Sequence, residues 1–220
     1  MTVWHQLSHQ NVVPLLGFAS HLDPIGALVS PWFANGNARE YVRKHDASLQ
    51  FRDRLTLVRD IAEGMFYLHS LHNPIVHGDL RADNVLITDD GVACIADFGL
   101  GRAIRESVED EGFSNNSKSN TRWSAPELLF PPDDEDPVKS TVESDVYAFA
   151  CTSLEIITGK IPYAHRKNPR SIYADVFNKC MPFTRDMSAD LSPALWDLFH
   201  CCWSAELRRR PSMAQILASM

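Results

Sequence analysis

The chain has 220 residues, 45% of them hydrophobic and 22% charged. That length suits one domain, or one with a small appendage, and it excludes a disordered chain, which lacks the apolar surface to offset its ordering entropy. Acidic side chains number 28 against 21 basic ones, for a formal charge of −7, which argues against general binding of nucleic acid or an anionic membrane.

No uncharged apolar run approaches the roughly 18 residues of a membrane span. Residues 1–10 lack the basic start and apolar stretch of a signal peptide, so cytoplasm is the default compartment. The five cysteines are scattered and form no CxxC pair, which suits a reduced, intracellular protein.

In chain order, His5 and His9 sit four apart but lack a third ligand for zinc, and a solvent-facing or capping role is expected. Residues 12–18 and 27–33 read as short buried strands, after which Asn35-Gly36-Asn37 breaks the pattern. Over 51–72 the apolar residues Leu55, Val58, Ile61, Ala62, Met65 and Leu68 recur at three and four, an amphipathic helix. Strands are expected at 85–88 and 92–96, joined by the turn residues Asp89-Asp90-Gly91. The polar stretch 105–121 reads as a long loop, and the acidic run 131–137 as a solvated one. Residues 146–157 are apolar nearly all round, a helix buried on every side and ended by Gly159. Three more helices are expected near 169–180, 193–203 and 211–219. The fold class is therefore α+β with a large helical body.

The chemistry concentrates in His77-Gly78-Asp79-Leu80-Arg81-Ala82-Asp83-Asn84, a loop between a helix and a strand. Asp97-Phe98-Gly99 follows the next strand. Asn84 and Asp97 offer hard oxygen donors to Mg²⁺. Asp79 can accept a proton from an attacking hydroxyl, and Arg81 can offset charge on a transferring phosphoryl group. Gly99 permits a sharp turn that aims Asp97 inward. Each fragment alone is common. Five fixed residues of the first loop arise by chance in roughly 1 in 10⁴ chains of this length.

This ordered set resembles a eukaryotic protein kinase domain of the tyrosine-kinase-like group, of a type common in fungi. The residues at 77–84 resemble the catalytic loop and Asp97-Phe98-Gly99 the magnesium loop. Arg122-Trp123-Ser124-Ala125-Pro126-Glu127 resembles the end of the activation segment. Asp145-Val146-Tyr147-Ala148-Phe149 resembles the start of the central buried helix, Gly159-Lys160-Ile161-Pro162-Tyr163 the turn after it, and Cys202-Trp203 with Arg210-Pro211 the last signature. Residues 7–17 resemble the end of the family's third-lettered helix running into its fourth strand.

The resemblance implies a kinase-like fold, with residues 1–33 a remnant of the smaller lobe and 34–220 the larger lobe. It implies ATP and Mg²⁺ as cofactors and a protein substrate phosphorylated on Ser or Thr rather than Tyr. Asp79 would be the catalytic base. Arg81 would stand where the family usually has Lys, and Asn84 with Asp97 would hold the metal. Ser30 would be the gatekeeper, Pro31 would offer its carbonyl and Phe33 its N–H to adenine, and Leu86 would form the floor. Glu127 would pair with Arg210, Asp145 would hold the catalytic loop, and Trp4, Leu15, His77 and Phe98 would stack between the lobes. Those last four residues are at least as compatible with plain core packing.

The sequence departs from the family in containing no G-x-G-x-x-G loop and no Val-Ala-x-Lys strand. Phosphoryl transfer rests on positioning and electrostatics, so little or no transfer is expected from these 220 residues. Strands 12–18 and 27–33 would also lack partners. Two explanations stay open: a piece of a longer kinase, or a truncated, non-catalytic module that acts as a scaffold or docks to another kinase. Gly78 replaces the Arg that usually grips an activation-loop phosphate, so phosphorylation at Ser107, Ser114, Ser117, Ser119 or Thr121 is not expected to order that loop through Arg pairing.

Overall fold

A computed structural model describes residues 4–20, 27–98, 121–130, 138–188 and 190–220. The order is β1 (Gly17–Ala19), β2 (Ala27–Val29), α1 (Ala38–Lys44), α2 (Phe51–Ser70), β3 (Val85–Ile87), β4 (Ala93–Ile95), α3 (Pro126–Leu129), α4 (Val142–Thr158), α5 (Pro169–Phe177), α6 (Pro193–Cys202) and α7 (Met213–Ser219). Single 3₁₀ turns lie at Trp4–Gln6, Ala82–Asn84, Arg185–Ser188 and Leu207–Arg209. The expected α+β class with a helical body is the one found.

The apolar repeat of α2 buries Leu57, Val58, Ile61, Ala62, Met65 and Leu68 against α4, α7 and β4. Leu55, expected on that face, is only partly buried at its edge. Helix α4 is buried from Ser144 to Ile157, as its all-round apolar sequence requires. At its start the Thr141 hydroxyl accepts from the Ser144 N–H, 3.2 Å. At its end Gly159 adopts φ 68°, where the missing Cβ removes the steric cost. The Arg54 guanidinium reaches the same end from α2 and donates to the Ile156 carbonyl at 2.9 Å.

The hairpin β3–β4 pairs Val85 with Ile95 and Ile87 with Ala93. The chain at 11–13 runs beside β4: Ile95 N–H donates to the Asn11 carbonyl and Val13 N–H to the Ile95 carbonyl.

Two expectations are corrected. Residues 12–18 and 27–33 are not two buried strands. Only 17–19 and 27–29 are extended in a ladder, and both are at best half-buried, because no second layer among the described residues covers them. The strands do have one partner, each other, Gly17 pairing with Val29, while the outer edge of each joins no further strand among the described residues. Helix α1 was not expected. Asn37, read as a pattern breaker, is its N-cap and accepts from the Glu40 N–H at 2.9 Å. His9 takes a capping and packing role: its Nδ1 accepts from the Asn11 N–H at 3.1 Å and its ring stacks on Tyr67. The runs 99–120 and 131–137, with Gly99, four of the five candidate phosphorylation sites and the acidic run, lie outside the described residues. Thr121, the fifth, is buried.

Gly64 sits mid-helix in α2 because the chain at 11 passes over it. A Cβ there would come within 2.6 Å of the Asn11 carbonyl oxygen and 2.8 Å of Ile95 Cδ1. Gly64→Ala gains about 1 kcal/mol of helix propensity but must displace backbone, an overpacking cost of about 1–3 kcal/mol. The net expectation is a lower urea midpoint than wild type, whereas Ala at an open helical position would raise it.

Candidate active site

The residues at 71–81 form an irregular loop, so side chains must satisfy its backbone. Asp145, in the first turn of α4 and 1% exposed, does so. Its Oδ2 accepts from the His77 N–H at 2.7 Å, its Oδ1 from the Gly78 N–H at 2.9 Å, and His69 Nε2 lies 2.9 Å from Oδ2. Gly78 holds φ 77°, and a Cβ there would press on Ser140 Oγ at 3.3 Å. This left-handed residue turns the chain so that Asp79 follows on the open side, half-buried.

Asp79 and Asn84 meet directly. The Asn84 amide nitrogen donates to the Asp79 carbonyl at 2.7 Å and to Asp79 Oδ2 at 3.0 Å. The amide oxygen is then the group Asn84 has left to offer. Asn84 also accepts at its carbonyl from the Ala96 N–H, 2.9 Å, which continues the β3–β4 ladder by one rung. Asp97 is the next residue, so Asn84 and Asp97 emerge at the same end of one hairpin. Asp97 is exposed and carries φ 57°. A non-glycine residue there costs roughly 1–2 kcal/mol, and such strain gathers at functional positions.

Arg81 does not point into open space. Its Nη1 lies 3.1 Å from Asp83 Oδ2 and its Nε 3.8 Å from Asp79 Oδ2. Toward the other end, Phe33 and Leu86 pack with Val13, Cys94 and Ala96, and Asn37 bridges Leu86 across the backbone. Ser30 is exposed and Pro31 half-buried. A cleft of about 590 Å³ runs behind them, lined by Pro31, Phe33, Val12, Pro14 and Cys94 among others; Asp79, Asn84 and Asp97 do not line it. Trp4 meets Phe98 edge-on at 5.2 Å, while Leu15 is half-buried and outside the apolar clusters.

Glu127 pairs with Arg210 through two hydrogen bonds of 2.6 and 2.8 Å. The Arg210 side chain is wholly buried, so losing its partner would strand a charge, at about 3–5 kcal/mol. Sequence reasoning missed Arg39 and Glu155, which meet at 2.7 Å from positions 116 apart. Nothing local signals that pairing.

The whole chain, residues 1–220, matches the family model for protein tyrosine and serine/threonine kinases. It is 30% identical over 216 residues to the serine/threonine-protein kinase TNNI3K of Mus musculus, covering 98% of this chain and 25% of that protein. It is 31% identical over 220 residues to the serine/threonine-protein kinase CTR1 of Arabidopsis thaliana, covering 99% of this chain and 25% of that protein. The chain belongs to the protein kinase family, in its tyrosine-kinase-like group. It spans about a quarter of the length of these curated relatives. No helix among the described residues is long and apolar enough to cross a membrane.

Burial holds the His77 imidazole below its usual value of 6.5, against the pull of Asp145 and Asp79. Below pH 6.5 the unfolded chain therefore binds a proton that the folded chain refuses. This contribution to stability is complete above that pH and is lost as the pH falls, by at most about 1.4 kcal/mol per pH unit. Urea unfolding at pH 7.5 and 5.5 checks it: the midpoint of wild type should drop more than that of His77→Phe.

Proposed function

We propose that this chain works as a protein kinase domain that transfers the γ-phosphate of ATP to Ser or Thr hydroxyls of a protein, between a small lobe, residues 1–33, and a large lobe, residues 34–220. The observation that carries the reading is the double contact of Asn84 with Asp79 on a loop whose next ladder rung leads into Asp97.

Asp79 acts as general base. The Asn84 amide fixes its Oδ2, which orients the carboxylate to take the proton of an incoming hydroxyl. The Asn84 amide oxygen and the Asp97 carboxylate would hold Mg²⁺, since both are hard donors. When bound, the metal neutralises charge on the phosphates. Arg81 keeps a positive charge beside Asp79 while tied to Asp83. The Pro31 carbonyl and the Phe33 N–H would meet the adenine edge, with Leu86 beneath and Ser30 behind.

One feature favours a second reading, a non-catalytic module that docks to another kinase: these 220 residues contain neither a G-x-G-x-x-G loop nor a Val-Ala-x-Lys strand. Mg²⁺-ATP thermal shift separates the two. Wild type should be stabilised, by about 2.7 kcal/mol at a hundredfold excess over Kd, and Asp97→Asn should abolish the shift. Asp79→Asn should keep the shift and lower by about 10²–10⁴-fold whatever phosphate transfer the wild-type chain shows. Absence of any shift in wild type would overturn the nucleotide site and leave the docking module.

A further inference from the structure

The charged groups beside Asp79 do not end at Arg81. Asp83 Oδ2 lies 3.1 Å from Arg81 Nη1 and 2.8 Å from Arg39 Nη1. Arg39 stands on α1, and its Nε donates to Glu155 Oε1 at 2.7 Å. The second oxygen of Glu155 accepts from the Trp123 indole N–H at 2.9 Å. The Arg39 guanidinium also lies over the Trp123 ring, 5.2 Å from its centre. Arg39 thus touches both the loop carrying Asp79, through Asp83, and the segment carrying Trp123.

The energetics make this connection stiff. Glu155 is buried, and burial pushes its carboxyl upward while Arg39 and Trp123 pull it back toward the ionised form. A buried carboxylate that loses its cation is costly, so neither end can drift without disturbing the other. Arg39 and Trp123 hold Glu155 through charge-assisted hydrogen bonds, which are the strong ones, while Arg39 meets Asp83 as an ion pair.

We propose that Arg39 is a positioning residue that, through Asp83 and Glu155, locks the loop of Asp79 to the Trp123 segment so that the two move as one. This rests on the kinase reading for its meaning, since it is in a kinase that the base and the end of the activation segment must be set together. The lock itself can be tested without activity.

The probe is the Trp123 indole N–H signal by NMR. The chain has five tryptophans, and Trp123→Phe identifies the signal. Asp83→Asn should move it by more than its line width, although Trp123 bonds to Glu155. In an Arg39→Met background the same Asp83→Asn change should leave the signal still. If Arg39→Met fails to fold, Arg39→Lys replaces it. A single ammonium cannot span both carboxylates with the fork of a guanidinium, and the response should at least halve. A second arm adds Mg²⁺ with a non-hydrolysable ATP analogue, its binding measured by calorimetry. The Trp123 signal should move in wild type and stay in the Arg39 variant, with nucleotide affinity unchanged. If Asp83→Asn leaves Trp123 unmoved, or moves it equally without Arg39, the lock does not exist. If the nucleotide fails to bind wild type, the kinase reading fails while the first arm still decides the lock.

Discussion

A single buried carboxylate organises the loop that carries Asp79. Asp145 has three hydrogen-bond partners at its two oxygens, two of them backbone N–H groups of residues 77 and 78. Those N–H groups have no ladder to join, and each would cost about 1–3 kcal/mol if left bare in the interior. The carboxylate is itself fixed because α4 is packed on all sides and cannot rotate. Rigid burial of an apolar helix is thereby converted into a fixed geometry for a loop of irregular backbone. Asp79 and Asn84 take their positions from that anchor, from the β3–β4 hairpin and from the bonds of the Asn84 amide to Asp79.

Around this anchor the molecule accepts several locally unfavourable features. Asp97 holds a left-handed backbone, Glu155 is an acid in the interior, and the His77 Nε2 is buried without a partner among the described residues. All three lie in or beside the proposed site, whereas the body of α2 and α4 follows propensity, pattern and capping with little conflict. Consistency in the scaffold and tension near the chemistry is the division expected when a stable core supports a strained site.

The sequence was most legible where one short stretch carried its own signal. The three-four repeat of α2, the apolar continuity of α4 and the Gly159 stop each reflect burial acting on neighbouring residues. The candidate site stood out for a similar reason, because 77–84 and 97–98 are contiguous runs of chemistry-bearing residues. Helix α1 was not, since only Ala38 and Val42 face inward and two apolar positions do not establish a period. The run 27–33 misled for a different reason. Its apolar content suggests burial, yet Trp32 is 90% exposed. Least legible was Arg39 with Glu155, a pairing made by tertiary packing of α1 on α4.

Helix α4 also has a polarity, and both of its poles are answered. Glu143 and Asp145 lie in its first turn, where amide hydrogens leave a partial positive charge, while Arg54 meets the carbonyls of its last turn. Asp145 and Arg54 are largely shielded from water, with side chains 1% and 8% exposed. Mobile ions screen exposed charges readily and enclosed ones poorly. The central rod of this protein should therefore be indifferent to ionic strength, even as the −7 surface around it responds to every change of salt.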